Sequence, residues 1–214
     1  MTITQNASSQ ASMTPDRALE VLADGNRRFR SGAQETRNLL EQIRATAGGQ
    51  WPYAVVLGCI DSRVSNELIF DTGIGDIFSA RIAGNFINDD LLGSLEFGCK
   101  VAGSKLVVVL GHSHCGAVKG ACDDVKLGHL TGMLERIQPA VKAVSQPSDA
   151  AKRNSSNPEF VASVARKNVE MTVDAIRERS EILRELENNG DIRVIGAMYD
   201  IETGAVEFYD NSQN

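Results

Sequence analysis

KLVVVLGHSHCGAV, residues 105–118, decides the fold. From Leu106 to Leu110 the run is unbroken, apolar and valine-rich, the composition of a strand buried on both faces. Gly111 ends it, and His112, His114 and Cys115 follow at once. A second run, Ala54-Val-Val-Leu57, passes through Gly58 into Cys59-Ile60-Asp61-Ser62-Arg63 in the same manner.

Outward from these runs, 77–81 and 192–199 read as further strands. Glu202-Thr203-Gly204 reads as a hairpin turn leading into 205–209. Helical spacing fills the intervals. One helix opens at Thr14-Pro15 and stops at Gly32, and a second covers about 38–47. Others are expected over 89–101, 115–123 and 129–144. A long one opens at Asn157-Pro158 and runs to Asn188-Asn189-Gly190. Strands alternating with helices predict an α/β fold: a mostly parallel sheet of four strands plus an antiparallel edge strand, flanked by helices. The polar first fourteen residues are expected to be a disordered leader, and 15–214 a single domain.

The 214 residues carry a net charge of −6 with both signs interspersed, which argues against a nucleic-acid footprint. No apolar stretch reaches membrane-spanning length, and no signal peptide is legible, so the cytoplasm is the expected location. In a reducing compartment, the four cysteines are more often core filler, metal ligands or catalytic thiols than disulfides. Cys99 and Cys122 fall on predicted helices and read as packed thiols.

Open α/β sheets bind ligands beyond the carboxyl ends of their strands. Cys59, His112 and Cys115 all lie at such ends and converge if the two strands are neighbours. Two thiolates and an imidazole suit zinc, and three protein ligands leave one coordination position open, as in catalytic sites. A Cys59–His112 nucleophile pair is the competing arrangement, and it leaves Cys115 unused. His114 could replace His112 if the strand ran on. Asp61 and Arg63 are spaced for a bidentate ion pair that would keep the carboxylate ionised beside the metal.

The pairing of Cys-Ile-Asp-Ser-Arg at 59–63 with Gly-His-Ser-His-Cys-Gly at 111–116 resembles the β-class carbonic anhydrases. Arg-Ile-Ala-Gly-Asn at 81–85 and Gly-Ser-Leu-Glu-Phe at 93–97 follow the same family order. The resemblance implies one zinc ion per chain held by Cys59, His112 and Cys115, with Asp61 and Arg63 as the catalytic dyad. It implies reversible hydration of carbon dioxide to bicarbonate and a proton by zinc-hydroxide attack. Gln50, Phe78, Phe97 and Gly116 match substrate-side positions; Phe97 stands where plant members carry tyrosine. Val56 stands where bicarbonate-regulated members carry tryptophan, which implies the open, plant-like site rather than one closed by Asp61 binding the metal. Carbonyl sulfide or carbon disulfide hydrolysis on the same zinc is the alternative reaction, and a non-catalytic zinc protein the alternative class. The family architecture also implies a homodimer or homotetramer, with N-terminal helices packing on a partner subunit and the substrate pocket at that boundary. Phe29 and the Leu39-Leu40 pair are candidates for this surface.

Overall fold

Near-continuous apolar strands need cover on both faces, and the helices supply it around one five-stranded sheet. A computed structural model describes residues 4–209. Its strands are β1 (Ala54–Gly58), β2 (Ile77–Arg81), β3 (Leu106–His112), β4 (Arg193–Tyr199) and β5 (Val206–Tyr209). They lie in the order β2-β1-β3-β4-β5, parallel throughout except for the β4–β5 pair. This is the expected sheet of four parallel strands and one antiparallel edge strand.

The helices are α1 (Ala7–Ala11), α2 (Pro15–Ser31), α3 (Leu39–Thr46), α4 (Asn66–Ile69) and α5 (Asp89–Glu96). They continue with α6 (Gly116–Cys122), α7 (Gly128–Glu135), α8 (Gln138–Ala143), α9 (Pro158–Arg179) and α10 (Glu181–Asn188). Alternate strand residues feed two cores, as the two-residue period of a strand requires. Val55, Leu57, Val107 and Val109 meet Leu95 of α5 and Val169, Val173 and Ile176 of α9. On the opposite face Val56, Leu106, Val108 and Leu110 meet Ala18 and Leu22 of α2. Burying each of the larger of these side chains contributes roughly 1.5–3 kcal/mol.

Several expectations are corrected. Residues 7–11 of the supposed disordered leader form α1, and the Gln10 amide donates to the carbonyls of Pro52 and Ala102, both at 2.8 Å. Residues 1–3 and 210–214 lie outside the described residues. The long C-terminal helix is two helices. Ser180 adopts an extended backbone, its buried hydroxyl donates to Glu96 at 2.6 Å, and the same oxygen caps α10. The helix expected over 129–144 breaks into α7 and α8, because Pro139 supplies no amide and restricts the residue before it. The 89–101 helix ends as α5 and continues as a π-helical turn over Phe97–Val101. Phe29 is half-buried and packs against its own chain's core.

Candidate metal centre

The chain steps from β1 outward to β2, then back across β1 to β3 and β4. The β1–β3 boundary is therefore where strand order reverses. Register pairs Gly58 with Leu110 there, so Cys59 and His112 leave neighbouring strands on the same edge. His114 takes a left-handed backbone, φ 55°, and this tight turn returns the chain so that Cys115 opens α6 beside them. Ser113 anchors the turn: its amide donates to Tyr199 and its hydroxyl accepts from the Ile201 amide.

Cys59, His112 and Cys115 are buried, and their donor atoms all lie within 4.8 Å of one another. His112 Nδ1 is 2.9 Å from the Ser113 carbonyl, which fixes the proton on Nδ1 and leaves the Nε2 lone pair free. That buried Nε2 has no hydrogen-bond partner. A buried acceptor without a partner is costly, and here it faces two sulfurs.

Proximity and burial favour a single proton on the two sulfurs. A hydrogen bond from Cys115 pulls the Cys59 thiol down to about 4, against the opposing effect of burial. The bond to Cys59 and burial push Cys115 far above an ordinary thiol. The Gly84 amide donates to Cys59 Sγ at 3.4 Å, and the Asp61 amide also favours the thiolate. A soft divalent cation replacing the shared proton would satisfy both sulfurs and the orphaned nitrogen together. The donor set therefore fits a metal ion.

Asp61 and Arg63 form the expected bidentate pair. Arg63 Nε and Nη2 donate to the two carboxylate oxygens at 2.9 and 2.7 Å, and the Arg63 amide adds a third bond at 3.0 Å. These bonds hold the Asp61 carboxyl well below the usual carboxylate range, against a smaller opposing effect of burial.

His114 stands aside from the cluster, with its Nε2 3.1 Å from Glu202. Gly116 is exposed beside Cys115, and a Cβ there would meet nothing within 4 Å. Cys99 is buried in the core and Cys122 is half-buried; neither joins the donors.

The aromatic positions lie elsewhere in the same chain. Phe78 pairs with Val55 near the start of β1, three register steps from Gly58, or about 10 Å along the strand. Phe78 and Phe97 meet edge to face at 6.1 Å and line a cleft of about 440 Å³ with Val55 and Leu91. None of the metal donors lines this cleft. Gln50 is exposed, four residues before β1.

The sequence reading gave no role to three residues that support the donors: Arg81 and Gly84, quoted there only within the run 81–85, and Asn168. Arg81 donates to the carbonyls of Cys59 and Asp61. Gly84 supplies the amide to Cys59, and the buried Asn168 of α9 donates to the Gly84 carbonyl at 2.8 Å. The signals were faint: an arginine ending a strand, a glycine just after it, and an asparagine on an apolar helix face.

The sequence model of the carbonic anhydrase family matches residues 54–206. Carbonic anhydrase 2 of Mycobacterium tuberculosis is 34% identical over 206 residues, covering 94% of this chain and 95% of its own. A β-carbonic anhydrase structure from Aspergillus fumigatus aligns with a TM-score of 0.70 and 29% identity, over 82% of this chain and 83% of that one. A structure from the work on two tetrameric β-carbonic anhydrases of Sordaria macrospora aligns with a TM-score of 0.67 and 25% identity, over 78% and 84%.

Proposed function

The chain belongs to the β-class carbonic anhydrases, and from that membership we propose how its residues divide the work. It is an enzyme that interconverts carbon dioxide with bicarbonate and a proton. The observation that carries the site assignment is the convergence of three buried soft donors beside a carboxylate locked by arginine.

Cys59, His112 and Cys115 would hold zinc, one ion per chain, leaving a fourth position open. Bound there, zinc supplies the Lewis acidity that makes water a nucleophile near neutral pH, a property for which carbonic anhydrase is itself the standard example. Asp61 acts as the acceptor that orients the attacking water. Its Oδ1 accepts from both the Arg63 Nε and the Arg63 amide, while Oδ2 accepts only from Nη2 and keeps a second lone pair for this bond. Arg63 holds that carboxylate in place. Gly116 leaves room for the small linear substrate beside Cys115.

Gln50, Phe78 and Phe97 form the substrate side, brought to the donors by a partner subunit. Their separation from the donors within one chain supports this reading. So do Leu39, Leu40 and Ile43, which make an exposed apolar face on α3, and β2, which stands at the sheet edge. A homodimer is the minimal assembly, and a homotetramer repeats it. The bidentate Asp61–Arg63 pair, with Val56 buried behind the strand, supports the open-site type. Four free thiols fit a reducing compartment, and the cytoplasm is the proposed location. Among the described residues no helix is long and apolar enough to cross a membrane.

The test is stopped-flow carbon dioxide hydration from acid to alkaline pH on protein of quantified zinc content. Turnover that rises with pH at one zinc per chain is expected. Full zinc loading without hydration would refute the assignment.

A further inference from the structure

The turn after β1 leaves the sheet at Gly58, whose last ladder partner is Arg81 of β2. Beyond that rung the carbonyls of Cys59 and Asp61 have no strand to accept from, and backbone groups leaving a sheet need other partners. Arg81 supplies one to each: its Nε donates to the Cys59 carbonyl and its Nη2 to the Asp61 carbonyl, both at 2.8 Å, and the Asp61 carbonyl accepts a second bond from the Val64 amide at 2.9 Å. These two carbonyls belong to the peptides on either side of the Ile60–Asp61 peptide, through which the chain passes from Cys59 to Asp61. Fixing the outer peptides fixes the plane of the middle one. Ile60, the residue between, is 60% exposed and supplies no packing to hold the turn. The Ile82 amide adds a bond to the Gly58 carbonyl at 3.1 Å, so the end of β2 is a template for the turn.

We propose that Arg81 is a positioning residue for the metal site: its fork across the Cys59 and Asp61 carbonyls aims the Cys59 sulfur and the Asp61 carboxylate into one shared space. The role requires a planar group with two donors at a fixed angle. Lysine, a compact point charge, reaches one carbonyl at a time. The inference rests on the reading of Cys59 as a metal ligand.

Cobalt(II) binding to the full-length protein reports the Cys59–metal bond through the thiolate-to-cobalt charge-transfer absorption, independently of hydration activity. Arg81→Ala should weaken cobalt affinity roughly 10–100-fold, the range for groups that orient a ligand from behind, and shift that absorption. Millimolar methylguanidinium should restore both in part, and Arg81→Lys should stay well below wild type. If Arg81→Ala does not fold, Arg81→Gln carries the same comparison. A variant whose affinity and absorption match wild type overturns the proposal. Full repair by Arg81→Lys also overturns it, because charge alone would then suffice. A wild-type protein that binds cobalt without thiolate absorption would instead refute the metal-ligand reading beneath it.

Discussion

Gly84→Ala offers a sharp test of how the loop after β2 supports the metal donors. Gly84 adopts φ 83°, and a Cβ there would lie 2.5 Å from Ile137 Cδ1 and 3.4 Å from Ala117 Cβ. Holding alanine in that backbone region costs about 1–3 kcal/mol. Forcing a methyl against the fully buried Ile137 costs about 1–3 kcal/mol more. The expected loss is therefore roughly 2–6 kcal/mol. The two parts separate in a double-mutant cycle. Ile137→Val removes the clashing Cδ1 and by itself costs about 0.5–1.5 kcal/mol. Combined with Gly84→Ala it should recover the steric part, giving a favourable coupling of about 1–3 kcal/mol, while the backbone strain remains. Urea unfolding at one fixed protein concentration measures all four proteins, because subunit association would otherwise shift the midpoints. A Gly84→Ala loss below about 1 kcal/mol, or a cycle without coupling, would show that the loop yields and that the reasoning is wrong. The same variant should weaken metal binding, since the Gly84 amide bonds Cys59 and its carbonyl is held by Asn168.

Arg63→Ala should lower kcat/KM by roughly 10–100-fold while zinc content stays full, because the ligands are untouched and only the orientation of Asp61 is lost; undiminished hydration would remove the dyad from the mechanism. Metal entry at neutral pH should release about one proton, since the Cys59 thiol, down at about 4, is already ionised and the raised Cys115 thiol is not. Affinity should then fall about tenfold for each unit of acidification through that range, and calorimetry in buffers of different ionisation enthalpy counts the protons. Release of two would contradict the shared-proton pair. Mixed oligomers of Asp61→Asn with a Gln50→Ala/Phe78→Ala chain should regain activity that neither parent has, because one boundary then combines an intact donor half with an intact aromatic half. No recovery in verified mixed oligomers would place both halves in one subunit.

Much of the site was legible because its chemistry follows directly on its strands. The valine runs specify β1 and β3, and side chains immediately past a strand end can only emerge at its edge. Cys59, His112 and Cys115 could therefore be picked out by type and place, and Asp61 with Arg63 by spacing. Helix breaks were less legible. Ser180 stops α9 through a hydroxyl bond to Glu96, 84 residues away in sequence, and no local periodicity records such a partner. The helix α1 was hidden for a similar reason, since its Gln10 is held by carbonyls of Pro52 and Ala102.

The sequence by itself determined the α/β class, the candidate donors Cys59, Cys115 and one of His112 and His114, and the spacing that lets Asp61 meet Arg63. Each depends on residues close along the chain or on the chemistry of a single side chain. Only the tertiary structure decided that β1 lies between β2 and β3, which makes Cys59 and His112 neighbours. It alone placed Arg81, Gly84 and Asn168 behind the donors, and set Phe78 three register steps, about 10 Å of strand, from the rung of Gly58. The physical reason is that strand order and register are settled by backbone hydrogen bonds and by the burial of whole faces. Those are summed over distant segments, and no short stretch of sequence carries the sum.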